Sequence, residues 1–109
     1  MLKYNAKKYF KLFSNKDINA LSSIFSKNIT LRDWKIKAQG LKKVLKENKK
    51  IFKSCKSIQV KPIKIFQEKK TIIAELIIQI NNSKNLLVID VIDFDKQNKI
   101  KSIRAYLGN

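Results

Sequence analysis

Three side chains of this sequence could do acid–base chemistry, and the most unusual of them is Asp90. It lies at the centre of the strand-like run Leu86–Phe94 and alternates with the apolar residues Val88 and Ile92. An ionised carboxylate among apolar neighbours loses its hydration, so burial favours the protonated acid and raises its pKa. A protonated Asp90 could donate a hydrogen bond at neutral pH. The alternative is a structural ion pair with Arg104 or with a lysine of the adjacent strand.

The other two candidates are Tyr9 and Asp33. Tyr9 shares an apolar helix face with Phe10 and Phe13, and Asp33 ends a short strand-like segment directly before Trp34. Each has an ordinary alternative, because a buried tyrosine bonds to any convenient acceptor and such an aspartate is often a turn or cap residue. Together with Asp90 they make one recognisable device. A base and two neutral donors in an apolar pocket can remove a proton and stabilise the negative charge that develops.

The elements that would position these residues are helices first and strands afterwards. Apolar residues at helical spacing predict helices at 3–14, at about 18–26 and at 41–54, and Asn15 or Asp17 could cap the second. Alternating apolar residues predict strands at 29–34, 57–66, 71–80, 86–94 and 99–107. Pro62 interrupts the alternation and lacks a backbone donor, which favours a bulge or an edge position. The order α-α-β-α and then four antiparallel strands predicts an α+β domain with helices on one sheet face.

The strands at 71–80 and 86–94 are apolar on both of their alternating faces. An antiparallel sheet with one face in water is polar on that face. We therefore expect the second face to be covered, and in so small a chain the cover is another copy of itself. The sequence predicts a homodimer that pairs sheet against sheet.

The composition limits the classes of function. With 109 residues we expect a single domain, 1–109, with one modest core. The chain has no His, and Cys55 is its only Cys, so imidazole triads, disulfides and His or Cys metal sites are excluded. We predict chemistry without metal or cofactor. No apolar run has the length of a membrane span and the N-terminus has no apolar signal core, so we expect a soluble, cytoplasmic protein.

The net charge of +17 would suit a nucleic-acid partner, but its make-up does not favour one. Arg32 and Arg104 are the only arginines, although arginine is the residue suited to bidentate phosphate and guanine contacts. Lysine shares AT-rich codons with isoleucine and asparagine, which are also abundant, so a bias in genome composition explains the high lysine content. A polyanion-binding domain remains the third alternative, and it predicts an affinity that falls steeply with salt.

A family resemblance lies in the helix and turn at 9–17, in Ile24-Phe25, in the segment 29–33, and from Ile89-Asp90 through 99–105. With these segments nearly the whole chain resembles the nuclear transport factor 2-like (NTF2-like) superfamily, and within it the ketosteroid isomerase and SnoaL-like branch. The spacing from Tyr9 to Asp33 agrees with the isomerase pattern without a gap. So does the spacing from Asp90 to the terminal strand.

The resemblance implies an α+β cone, with three N-terminal helices packed on a strongly bent antiparallel sheet. It implies Asp33 as the general base and Tyr9 with protonated Asp90 as oxyanion donors, an arrangement for which ketosteroid isomerase itself is the known case. The expected activity is a cofactor-independent isomerase, or a SnoaL-like cyclase or lyase, acting on a small hydrophobic carbonyl compound. The alternative is a non-catalytic module that binds an apolar ligand or a partner protein. We expect the pocket to be lined by Phe10, Phe13, Trp34, Val88, Ile92 and Tyr106.

The sequence also departs from the isomerase pattern. Trp34 stands where the isomerases commonly have proline, and the loop from Trp34 to Gly40 is shorter than theirs. Asn48 falls near the position where the isomerases often have a second pocket tyrosine. The resemblance therefore does not carry a prediction of substrate size or of steroid specificity.

Overall fold

The chain folds into three helices and a six-stranded sheet in the computed structural model, which describes residues 1–109. This confirms the predicted α+β class and the cone with N-terminal helices. The elements are α1 (Leu2–Ser14), α2 (Ile18–Ile24), β1 (Phe25–Arg32), β2 (Lys37–Gln39), α3 (Leu41–Lys53), β3 (Ile58–Glu68), β4 (Thr71–Ile80), β5 (Lys84–Phe94) and β6 (Ile100–Leu107).

The sheet has the strand order β2-β1-β6-β5-β4-β3, and β3 to β6 form the expected antiparallel meander. The sheet as a whole is mixed, because β1 joins β6 in parallel with Leu31 beside Ile103. Parallel neighbours need a long crossover, and the chain between β1 and β6 supplies it. The residue pattern predicts a loop where β2 lies. That strand has only three residues and no apolar alternation, and it forms by pairing with β1.

The bulge expected at Pro62 is present in β3, where the register with β4 shifts between Pro62 and Lys64. β3 is an edge strand, and edge strands and bulges are the positions in a sheet that tolerate a proline. A bulge bends the strand that carries it and increases its twist. This bend contributes to the concave inner face on which the helices pack.

One core of 19 buried hydrophobic residues lies between the helices and the inner face of the sheet. The ring of Tyr9 packs against Phe10, Phe13 and Phe25, with centroid distances of 5.5, 6.0 and 5.9 Å. Phe13 in turn meets Phe52 of α3 edge to face at 4.7 Å. These aromatic contacts hold α1 across the sheet with Tyr9 on its inward side.

Two polar contacts fix the ends of the helices. The side chain of Asp17 accepts a hydrogen bond from the Ala20 N–H at 3.1 Å, which confirms it as the cap of α2. Lys16 Nζ donates to the carbonyl oxygens of Phe52 and Cys55, at 2.8 and 2.6 Å. A cation is favourable at a helix C-terminus, so this lysine ties the α1–α2 turn to the end of α3. None of the three helices has the length and apolar character needed to cross a membrane.

Candidate active site

A cavity of about 430 Å³ lies between α1, α3 and the inner face of the sheet. Of its 21 lining residues 16 are hydrophobic, so it is an apolar hollow with a few polar groups, as is typical of sites for small molecules. The exposed lining residues Trp34, Lys35 and Lys84 mark its open side. Tyr9, Asp33 and Asp90 all line this one cavity, so the fold brings the three candidate side chains together.

Asp90 is 7% exposed on the inner face of β5, and its neighbours across the adjacent strands are Ala74 and Ala105. The two small side chains leave space beside the carboxyl group. Burial, and to a lesser extent the negative charge of Asp33, raise the pKa of Asp90 from 3.8 to about 7. No hydrogen bond from the protein stabilises the carboxylate. A large share of the Asp90 side chains is therefore protonated at neutral pH, with an O–H available to a guest in the cavity.

The alternative that Asp90 pairs with Arg104 is wrong. Arg104 lies opposite Val91 in the register of β5 and β6, which places it on the outer face of the sheet. Its guanidinium Nη1 donates to Asp93 Oδ2 at 2.7 Å, and Thr71 also donates to Asp93. Arg104 thus pairs with Asp93, which lies on the face of the sheet opposite to Asp90.

Tyr9 is buried on α1, and its hydroxyl makes no hydrogen bond with the protein. Burial raises the pKa of the Tyr9 phenol well above 10, and the charges of Asp90 and Asp33 raise it further. The phenol therefore stays protonated and remains a donor at any working pH. Tyr9 lines the same cavity as both acids.

Asp33 reaches the cavity through the pairing of β1 with β6. Arg32 pairs with Arg104, so Asp33 lies one residue further, at the level of Ala105, whose antiparallel partner is Asp90. Asp33 Oδ1 accepts hydrogen bonds from the N–H groups of Lys35 and Ile36, at 2.7 and 2.6 Å. These bonds hold the carboxylate in one orientation and leave Oδ2 without a protein partner.

Four of the six predicted lining residues do line the cavity: Phe10, Phe13, Trp34 and Val88. The prediction is wrong for Ile92 and Tyr106. Ile92 shares the inner face with Asp90, but it is fully buried between Ile72 and Ile103 in the core. Tyr106 points to the outer face, where it is 46% exposed and accepts a hydrogen bond from Arg32.

Three further polar residues line the cavity but were not among the predicted site residues: Asn48, Lys35 and Lys84. For Asn48 the resemblance had indicated only that it falls near the position of a second pocket tyrosine. Asn48 is 3% exposed on α3, and its Nδ2 has no hydrogen-bond partner. The signal that could have found it is an amide within the otherwise apolar stripe of that helix. The two lysines carry no such signal in a chain with so many exposed lysines.

No protein-family model matches the sequence, and no curated protein matches it significantly. Solved structures do match its fold. An NTF2-like protein of unknown function from Cytophaga hutchinsonii is 15% identical, with a TM-score of 0.84 over 99% of this chain and 90% of that one.

Two further structures are similar over almost the whole chain. A candidate SnoaL-like polyketide cyclase from Shewanella denitrificans is 11% identical, with a TM-score of 0.87 over 98% of this chain and 90% of that one. A candidate ketosteroid isomerase from Kribbella flavida is 8% identical, with a TM-score of 0.86 over 99% of this chain and 78% of that one. At these identities the likeness concerns the fold alone.

Proposed function

We propose that this chain, which has the NTF2-like fold, is a cofactor-independent isomerase that moves a proton α to the carbonyl of a small hydrophobic compound. Asp33 is the general base, and Tyr9 and protonated Asp90 donate hydrogen bonds to the carbonyl oxygen. One observation carries the proposal. The three groups line the same apolar cavity, and neither the Tyr9 hydroxyl nor the Asp90 carboxyl is engaged by the protein.

The reaction proceeds in two proton transfers. Asp33 Oδ2 removes a proton from the carbon α to the carbonyl, and the electron pair of that C–H bond forms the enolate. Tyr9 and Asp90 stabilise the negative charge that develops on the oxygen. The proton then returns from Asp33 to the γ carbon, so a β,γ double bond moves into conjugation with the carbonyl. The apolar walls strengthen these hydrogen bonds because they exclude water from the site.

A direct test uses 3-cyclohexen-1-one and a bicyclic β,γ-unsaturated ketone in D₂O. The expected result is an increase in ultraviolet absorbance from the conjugated product, together with deuterium at the α or γ carbon by mass spectrometry. The matched blank is the same buffer without protein. Deuterium incorporation no faster than in the blank, for both ketones, would remove the catalytic assignment.

The activity is expected to fall as the pH rises through about 7. Asp90 must hold its proton in order to donate, and its pKa in the free protein is about 7. Because kcat/KM reports the free enzyme, it should fall about tenfold per pH unit above that value. The check is a profile of kcat/KM from about pH 5 to pH 9. The variant Asp90→Asn keeps an N–H donor at every pH, so its profile should lose this decline, and a wild-type profile that stays flat would contradict the role of Asp90.

The second candidate function is a non-catalytic binding module that holds an apolar ligand or a partner protein. The observation in its favour is the turn at Asp33, where two backbone N–H groups bind the carboxylate and give it a structural role. Such a module binds the ketones without exchanging their protons. The deuterium experiment therefore separates the two functions, because binding without incorporation favours the module.

We also propose that two copies pair through the outer face of the sheet. Leu87, Ile89 and Tyr106 are exposed on that face, and Ile73 and Ile77 beside them are half-buried. Glu75 and Lys64 form a cross-strand pair there, so the face carries both signs of charge despite the net charge of the chain.

The variant Ile89→Lys is expected to shift the chain from dimer to monomer in sedimentation equilibrium, because it places like charges at the centre of the paired faces. Tyr4→Lys is the matched control, since Tyr4 is exposed on α1 away from the sheet. A wild-type chain that sediments as a monomer at all concentrations would rule out the pairing.

A further inference from the structure

The cavity contains a polar group that the proposed proton transfer does not use, the amide of Asn48. Asn48 belongs to α3, whereas Tyr9 belongs to α1 and Asp90 to β5, so the amide lies on a different wall. It is 3% exposed, and its Nδ2 is the one fully enclosed side-chain nitrogen or oxygen without a hydrogen-bond partner. An unpaired buried donor of this kind destabilises the folded state.

Packing does not explain an asparagine at this position. Its neighbours in the stripe of α3 are Val44, Ile51 and Phe52, and a leucine would fill a similar volume without an unpaired amide. The terminal torsion of asparagine is broad and roughly two-fold, so rotation about it can turn the NH₂ group toward the cavity. The other polar lining residues do not replace it, because Lys35 and Lys84 are exposed at the open side.

We propose that Asn48 determines specificity by donating a hydrogen bond to a second oxygen of the ligand, a ketone or a hydroxyl remote from the carbonyl that Tyr9 and Asp90 hold. The ligand is then an apolar ring compound with oxygens on two separated carbons. This inference rests on the proposed function for the position of the first carbonyl. A site built to bond a polar group discriminates against analogues that lack it, because the protein group is then left unpaired.

Binding of saturated ketones tests the proposal without any need for turnover. The probes are 2-decalone and the decalindiones whose second ketone is at ring position 5, 6 or 7. Trp34 is the only tryptophan and lines the cavity, so its fluorescence reports occupancy in the full chain. We expect at least one dione to bind the wild type about tenfold more tightly than 2-decalone, which corresponds to about 1.4 kcal/mol.

The variant Asn48→Leu is expected to lose this preference while it binds 2-decalone at least as well as the wild type. Ile51→Leu is the matched control, since Ile51 lines the cavity from the same helix and carries no polar group. It should change the affinities for both probes alike and keep their ratio. Asn48→Leu should also raise the melting temperature of the free chain, because it removes the unpaired amide.

Two outcomes would overturn the proposal: no dione exceeds 2-decalone in the wild type, or the preference persists in Asn48→Leu. The wild-type comparison decides the question even if the variant does not fold. Failure of the proposed isomerisation is distinguishable from failure of the role proposed for Asn48. If only the isomerisation fails, the dione preference is present while no deuterium enters the unsaturated ketones.

Discussion

Replacing Asp33 with asparagine is expected to slow conjugation of a β,γ-unsaturated ketone by about 10²- to 10⁴-fold, the range that a general base contributes. The amide oxygen of asparagine can still accept the hydrogen bonds from the N–H groups of Lys35 and Ile36, so the turn keeps its shape. What the variant loses is the oxygen that takes the proton. The measurement is kcat by absorbance at saturating ketone, with the melting temperature recorded alongside.

Asp95 offers a matched control for this variant. Its Oδ1 also accepts hydrogen bonds from two backbone N–H groups, those of Gln97 and Lys99, but it lies outside the cavity. Asp95→Asn should therefore leave kcat unchanged. If Asp33→Asn retains the wild-type kcat, Asp33 is not the base and its carboxylate serves only the turn.

The phenol is tested in the same assay. Tyr9→Phe removes one donor to the enolate oxygen, which is expected to lower kcat by about 10²- to 10³-fold. Tyr4→Phe on the exposed side of the same helix is the control and should have no effect. Equal kcat values for the two phenylalanine variants would remove Tyr9 from the mechanism.

The second large effect concerns stability, and we expect Asp90→Asn to make the chain more stable at alkaline pH. Burial, and then the charge of Asp33, raise the pKa of Asp90 from 3.8 to about 7 in the folded state. Between these values the folded chain holds a proton that the unfolded chain has released. The free energy of unfolding therefore falls as the pH rises, by about 4 kcal/mol for a shift of about 3 units.

Asp90→Asn has no carboxyl group at this position, so its free energy of unfolding should not show this fall with rising pH. Its stability relative to the wild type should improve by about 4 kcal/mol between about pH 4 and pH 8, as measured by urea denaturation at each pH. Stability curves that stay parallel over this range would show that Asp90 ionises normally.

Asp93→Asn is a control for which we expect the opposite effect on stability, because the pKa of Asp93 is lowered and not raised. Burial opposes ionisation of Asp93, but hydrogen bonds from Thr71 and Arg104 outweigh it and lower its pKa. The group therefore stabilises the fold above the usual pKa of an aspartate, and this stabilisation is lost as the pH falls through the lowered value. The variant should be less stable than the wild type at neutral pH, and the difference should shrink in acid.

Asp90 and Asn48 share a property that bears on the function of the cavity. Both are buried polar side chains with no hydrogen-bond partner in the protein, the Asp90 carboxyl group and the Asn48 NH₂ group, and each destabilises the folded state. Local physical rules are commonly broken at functional sites, where a ligand supplies the missing contacts. Under the proposals above, an oxygen-bearing guest would accept a hydrogen bond from each of these two groups, and we expect its binding to relieve their cost in stability.

Much of the scaffold follows from local patterns in the sequence. The helical spacing of α1 and α3, the alternation of β4 and β5, and the interrupted phase at Pro62 each reflect contacts between residues near in the chain. The raised pKa of Asp90 could also be inferred, because its apolar neighbours on β5 are two residues away on the same face. These features depend on periodicity, which a single sequence contains.

Which of these residues meet depends on contacts between segments that are distant in the chain. The parallel pairing of β1 with β6 brings Asp33 to the level of Asp90, and no local pattern specifies that pairing across the chain. Alternation assigned Ile92 to the correct face but could not give its depth, and the face of Tyr106 depends on how β6 pairs. Residue patterns were thus enough to predict the elements and the candidate acids, since these follow from spacing along the chain. The shape of the cavity and the unpaired amide of Asn48 arise from contacts between distant segments, and only the folded chain could reveal them.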